Sequence, residues 1–171
     1  TQRTTWETRA LITVLDTVPT DESAWQWQCP LLSLPLAFGT VLETIPNQTP
    51  YLVPDTARCA HWQHKIGELR LPQSGHKKVG IVWKPGAGMK IAHLKATTLQ
   101  TLAPLLCLSD CTWFSLQKEP DPETTSWVNA GKLIDWSADF HDFDDTAALA
   151  VNLDLVISVD TSVAHLAGAL G

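Results

Sequence analysis

Apolar and polar positions change rhythm near residue 57. Before it, short apolar runs are broken by Pro and Thr. Residues 11–15 fit a strand, and 30–38 (PLLSLPLAF) is apolar but carries Pro30 and Pro35. Proline rules out a central strand or a long helix there, so the segment reads as a packed turn with a short helix. Pro46, Pro50 and Pro54 then mark an extended connection of the kind that joins domains. From 57 onward the pattern alternates. Residues 57–71 predict a helix with Trp62, Ile66 and Leu69 on one face, and 71–78 a polar break. A buried strand at 79–83 (VGIVW) leads into a glycine-containing loop, 84–95. A helix at 98–106 turns Leu99, Leu102, Leu105 and Leu106 inward. A strand at 112–116, a two-proline loop at 119–123 and a short strand at 132–135 follow. Then come a helix at 145–152 capped by Asp144 or Asp145, a strand at 155–159 and a helix at 162–170. Strands separated by helices predict an α/β fold with a doubly wound parallel sheet, which binds ligands at the C-terminal strand ends.

Composition narrows the function. Of 171 residues, 44% are hydrophobic and 18% charged, which suits a globular protein with a core. A net charge of -6 and the lack of any Lys/Arg run argue against nucleic acid as a partner. No apolar stretch reaches the roughly 18 residues of a membrane span, and residues 1–10 lack a secretory signal's apolar core. Cys29, Cys59, Cys107 and Cys111 form no CxxC pair and no zinc spacing. They read as partly buried thiols in a reducing, cytoplasmic setting. Trp25, Trp27, Trp62 and Trp83 read as packing residues.

Three segments are candidates for chemistry. In 153–171 (LDLVISVDTSVAHLAGALG) a strand ends at Asp160, and Thr161 and Ser162 open a helix. The unpaired N–H groups and positive dipole end of a first turn suit an anion such as a diphosphate. His165 shares a face with Thr161. The same residues also read as a simple helix cap beside an uninvolved histidine. In 79–95, Gly86 and Gly88 permit close backbone approach after a strand, with Lys84, Lys90 and Lys95 nearby. The segment is neither a Walker A loop nor GxGxxG, and an ordinary turn with solvated lysines fits equally. In 114–119 (FSLQKE), Gln117 and Glu119 suit a base or ribose and Lys118 a phosphate; a plain polar loop is the other reading. His141 with Asp142, Asp144 and Asp145 lacks metal-site spacing and fits a helix start, and His61 and His64 lack an accompanying Glu motif, so no metal is expected.

With these segments in view, SVDTSVAHLAGALG resembles the D-T-[GS]-x-x-H-L-A-x-A-L-G segment of heptosyltransferase-like glycosyltransferases of family 9. CPLLSLPLAFGT at 29–40, WFSLQK at 113–118 and DFDDTAAL at 142–149 are similar to segments of glycosyltransferase modules that follow tetratricopeptide repeats in bacterial proteins. The matches keep the family order and cover residues 12–171. The resemblance implies a GT-B fold of two Rossmann-like domains. Residues 1–56 would be the tail of the N-terminal acceptor domain and the linker, and 57–171 most of the C-terminal nucleotide-sugar domain, truncated at both ends.

It further implies a metal-independent site for a nucleotide-diphosphate sugar. Asp160, Thr161 and Ser162 would lie at the diphosphate with His165 nearby, Lys95 would offset phosphate charge, and Gln117 and Lys118 would face the nucleotide. The parent would transfer the sugar to an unknown acceptor. WKPGAG and Lys95-Ala96 depart from the W-x-G-N and R-S elements of the repeat-associated modules. No catalytic base is assigned, so the fragment is expected to be inactive alone. Truncation would expose sheet edges and favour a homodimer. A non-catalytic nucleotide-sugar-binding or protein-interaction module is the alternative. An epimerase or dehydrogenase would need a GxGxxG loop that is not found.

Overall fold

The structure is a computed structural model, and it describes residues 27–69, 71, 75–86, 92–119 and 121–171. The strand expected at 11–15, Trp25, and Gly88 and Lys90 of the glycine loop lie outside these residues. The chain divides into two compact units, Thr1–Pro46 and Asn47–Gly171.

In the first unit a 3-10 turn, Leu31–Ser33, runs into the short helix α1 (Leu34–Ala37). Pro35 is accepted because it falls in the first turn, where an N–H has no helical partner. Gly39 ends the helix in the left-handed region at φ 61°, with its N–H on the Leu36 carbonyl and the Thr40 N–H on the Pro35 carbonyl. That pair of bonds is a Schellman cap. The turn and short helix agree with the sequence reading, but the packing does not. Leu31, Leu32, Leu36 and Phe38 are exposed, and so is Trp27.

The second unit is built on a parallel sheet of four strands: β1 (Lys77–Val82), β2 (Cys111–Ser115), β3 (Ile134–Asp135) and β4 (Leu155–Ser158). Their order is β3-β2-β1-β4. Val79 pairs with Trp113 on one side of β1 and with Leu155 on the other. Alternation along β1 sends Val79, Ile81 and Trp83 into one apolar cluster with Leu99, Leu106, Trp113 and Leu133. Val82 enters the opposite cluster, with Trp62, Ile66, Phe114, Ala148, Leu149 and Val163. Both faces are therefore covered, which explains why the strand reads as an unbroken apolar run.

The first layer of helices comprises α2 (Thr56–Gly67), α6 (Phe143–Ala150) and α7 (Ser162–Leu170). Asp55 caps α2 by accepting from the Arg58 N–H at 2.9 Å. Trp62 and Ile66, one turn apart, are buried; Leu69 lies just past the helix end and packs on the same cluster. The segment ahead of α2 is tied to the end of α7, where the N–H groups of Tyr51 and Leu52 both donate to the Ala169 carbonyl, at 2.9 and 3.1 Å.

On the other face lie α4 (Ala103–Leu106) and α5 (Pro122–Asn129). A four-residue helix, α3 (Ala92–Lys95), falls inside the stretch expected to be all loop. Other expectations change as well. The helix at 98–106 is α-helical only from Ala103, because Pro104 has no N–H for the Gln100 carbonyl and its ring collides with that carbonyl. Leu99 and Leu106 are buried as expected, but Leu105 is exposed. The loop at 119–123 gives way at Pro122 to α5, with Asp121 as N-cap accepting from the Glu123 N–H at 3.1 Å. The cap of α6 is Asp142, not Asp144 or Asp145; it accepts from both their N–H groups, at 2.9 and 3.3 Å.

All four cysteines are free. Cys29 and Cys107 are exposed, whereas Cys59 and Cys111 are half-buried. Among the described residues no helix is long and apolar enough to cross a membrane.

Gly80 sits at the centre of the sheet, facing the Trp62 cluster. A Cβ there would lie 2.7 Å from Leu116 Cδ1 and 2.8 Å from Leu153 Cδ1. Both leucines must shift to admit a methyl group, and Leu116 is fully buried. Gly80→Ala is expected to lower unfolding free energy by about 1–3 kcal/mol. Urea unfolding measures this, and an unchanged midpoint would show that the leucines yield freely.

Candidate nucleotide cleft

Strand order reverses between β1 and β4. The chain leaves β1 toward β2 and β3, then crosses back to β4 on the far side of β1. Loops that leave neighbouring strands in opposite directions part from each other and open a crevice. A cleft of about 340 Å³ lies there, at the C-terminal strand ends. Its walls are Val82, Lys84 and Gly86 after β1, Leu116, Gln117, Lys118 and Glu119 after β2, Asp142, Phe143 and Thr146 at the start of α6, and Thr161, Ser162 and Val163 at the start of α7.

Two helix N-termini thus meet the cleft, with opposite electrostatics. That of α6 is closed by the Asp142 carboxylate, and Asp144 and Asp145 add charge to its first turn. That of α7 has no acid in its first turn and no side-chain cap. The Thr161 hydroxyl lies instead 3.0 Å from Ser158 Oγ, while its carbonyl accepts from the Ala164 N–H at 3.1 Å. The first turn of α7 therefore keeps the partial positive charge of a helix end.

The residues singled out in the sequence fall into two groups. Gln117, Lys118, Thr161 and Ser162 line the cleft. Lys95, Asp160 and His165 form a more exposed cluster at the chain entering α7. The Lys95 ammonium donates to Asp160, and this bond and charge hold the Asp160 carboxyl below the usual carboxylate range. His165 Nε2 is 4.0 Å from Asp160 Oδ1. Lys118 donates to the Phe140 carbonyl. Lys84 is not a free surface charge: its ammonium lies 2.7 Å from Asp121 Oδ2 and 3.8 Å from Glu123. The hydrogen bond to Asp121 is the main reason its pKa is raised.

Two residues that matter here were not recognised in the sequence. Asp121, whose side chain is 4% exposed, also accepts from Trp83 Nε1 at 2.6 Å and caps α5. Burial is the largest single influence and pushes its pKa up. The Lys84 and Trp83 hydrogen bonds, with the Glu123 N–H, outweigh it and hold the carboxyl below its usual range. The signal was the D-P-E triplet: an N-cap, a proline at the first helical position and an acid in the first turn. The second residue is Arg58. Its guanidinium bridges α2 to the start of α6, at 2.6 Å from Asp142, 3.1 Å from Asp145 and 3.6 Å from Asp144. Nothing local in the sequence marks a contact across 84 positions. Among the described residues no group of three or more His, Cys, Asp or Glu is placed to hold a metal ion.

No protein-family model matches the chain, and no solved structure matches it. Over 139 residues it is 31% identical to Protein FlbA of Caulobacter vibrioides, a match covering 75% of this chain and 22% of FlbA. The chain thus spans a minor part of that relative's length.

Asp142 and Asp145 are both pushed up by burial. For Asp142 this is outweighed by the Arg58 hydrogen bond and the Asp144 and Asp145 N–H groups; for Asp145, by the His141 N–H and the Arg58 charge. Each net pKa lies below the ordinary carboxylate value, so each group stabilises the fold above that value. The contribution is lost as pH falls through the lower, folded-state pKa. Arg58→Met is expected to cost about 1–2 kcal/mol at pH 7, between an exposed and a buried pair. The deficit should begin to shrink as pH falls below the ordinary carboxylate value, and vanish only below the lowered folded-state pKa values. Denaturant unfolding at pH 7 and pH 3 tests this; a deficit independent of pH would assign the role of Arg58 to packing.

Proposed function

We propose that this chain holds the nucleoside-diphosphate part of a nucleotide-sugar donor, and that the protein to which it belongs is a GT-B glycosyltransferase related to the heptosyltransferase-like and repeat-associated modules. One observation carries the reading. The N-terminus of α7, with no acid in its first turn and no side-chain cap, opens into a cleft at the reversal point of a parallel sheet. First-turn N–H groups and the Thr161 and Ser162 hydroxyls would bind diphosphate oxygens. Lys95 would offset charge from beside the helix, His165 on the helix itself would donate to a phosphate oxygen, and Gln117 and Lys118 would hold the ligand from the β2 side. As the sugar–phosphate bond breaks, negative charge grows on the leaving diphosphate. Donors already fixed in place stabilise that charge without reorganising. The sugar passes to an acceptor hydroxyl, whose proton goes to a general base.

A non-catalytic binding module is the second reading. It is favoured by the internal engagement of the lysines: Lys84 with Asp121, Lys95 with Asp160 and Lys118 with the Phe140 carbonyl.

Thermal unfolding with UDP, GDP, ADP, CMP and dTDP, with and without magnesium, tests the donor site. A diphosphate at a hundredfold excess over its Kd should raise Tm by on the order of 5–10 °C. Magnesium should not be needed, and Thr161→Ala and Lys95→Ala should each reduce the shift. A chain indifferent to every nucleotide would sink the donor-site reading.

A further inference from the structure

Gln117 is a buried amide whose two ends have different fates. The residue is 7% exposed, and its carbonyl oxygen accepts the Lys84 main-chain N–H at 3.2 Å. Lys84 is the second residue past β1, beyond the last ladder bonds of the strand. The preceding rung, from the Leu116 N–H to the Ile81 carbonyl at 3.0 Å, still joins β1 to the end of β2. Where the ladder stops, the Gln117 side chain supplies the acceptor that a neighbouring strand no longer provides. A flipped amide would set NH2 against N–H, so the orientation is dictated by Lys84 rather than chosen. The amide nitrogen has no hydrogen-bond partner among the described residues, and Gln117 borders the cleft. An NH2 without a protein acceptor, on a buried residue at the wall of a cleft, is placed to donate to whatever enters it.

We propose that Gln117 is a donor-only contact: Lys84 locks its carbonyl, and its NH2 is reserved for an oxygen acceptor on the ligand. A phosphate oxygen and a base carbonyl share this chemistry. A ligand presenting an N–H or NH2 at that point would be rejected, because two donors would face each other. The ligand's identity rests on the nucleoside-diphosphate reading; the polarity of the contact does not.

Two measurements test the proposal. In the NMR spectrum of the free protein, the Gln117 side-chain NH2 protons should exchange rapidly with water. Slow exchange would mean that they are already bonded, and would overturn the proposal whatever the protein binds. The second measurement is calorimetric titration with inorganic pyrophosphate and with UDP and GDP. Gln117→Glu keeps an oxygen for the Lys84 N–H but replaces the NH2 with an acceptor. Its melting temperature should stay near that of the native chain, and its affinity should fall by about tenfold or more. The affinity gap to the native protein should narrow toward about pH 4, where a protonated glutamic acid becomes a donor again.

Loss with pyrophosphate identifies a phosphate oxygen as the acceptor, and loss with UDP or GDP alone identifies a base carbonyl. Equal affinity of Gln117→Glu and native protein overturns the proposal while leaving the nucleotide reading intact. If the native chain binds none of the probes yet the NH2 protons exchange freely, the nucleotide reading fails and the donor assignment stands.

Discussion

Strand β1 lies between two neighbours and beneath two layers of helix, so its residues from Val79 to Val82 are buried. A parallel strand in this position must carry apolar side chains on both faces, or none, as at Gly80. Its connections must also leave on alternate faces. From this come the helices α4 and α5 on one side and α2, α6 and α7 on the other. The reversal of direction between β1 and β4 follows as well, and with it the parting of loops that leaves a cleft. The position of the site is a consequence of how the central strand is covered.

Where the strands end, main-chain groups lose their ladder partners, and polar side chains around the rim take up hydrogen bonds and charge. Gln117 accepts for Lys84, Asp121 receives Trp83, Lys84 and the first turn of α5, and Arg58 neutralises the acids that cap α6. These groups do for the strand ends what apolar packing does for the strand centres. They also leave most of the charge at the rim internally balanced, with the start of α7 as the place where a helix end faces the cleft uncapped.

The parts legible in the sequence were those whose causes are local. VGIVW and LVISV are short apolar runs between breakers, and SVAHLAGAL follows a strand directly, so their elements were found within a residue or two. Trp62 and Ile66 declared a helix face by spacing alone. The misses have two origins. Local signals were misjudged at Pro104, where a proline splits an otherwise periodic stretch, and at Asp121, where it starts a helix instead of prolonging a loop. Other facts have no local signal. Arg58 meets its acids, and Lys84 and Gln117 each other, only after the sheet has formed. Of the candidate site, the α7 segment and the Gln117–Lys118 pair were visible. Their meeting in one cleft is a property of strand order, which no single segment encodes.

The bonds from Tyr51 and Leu52 to Ala169 give α7 a mechanical character. The helix is a stiff rod of nine residues, about 13 Å long, held at its far end by the segment leading into the unit and open at its near end to the cleft. Without those two bonds the far end of the rod would be free to shift, and its first turn at Ser162 would shift with it.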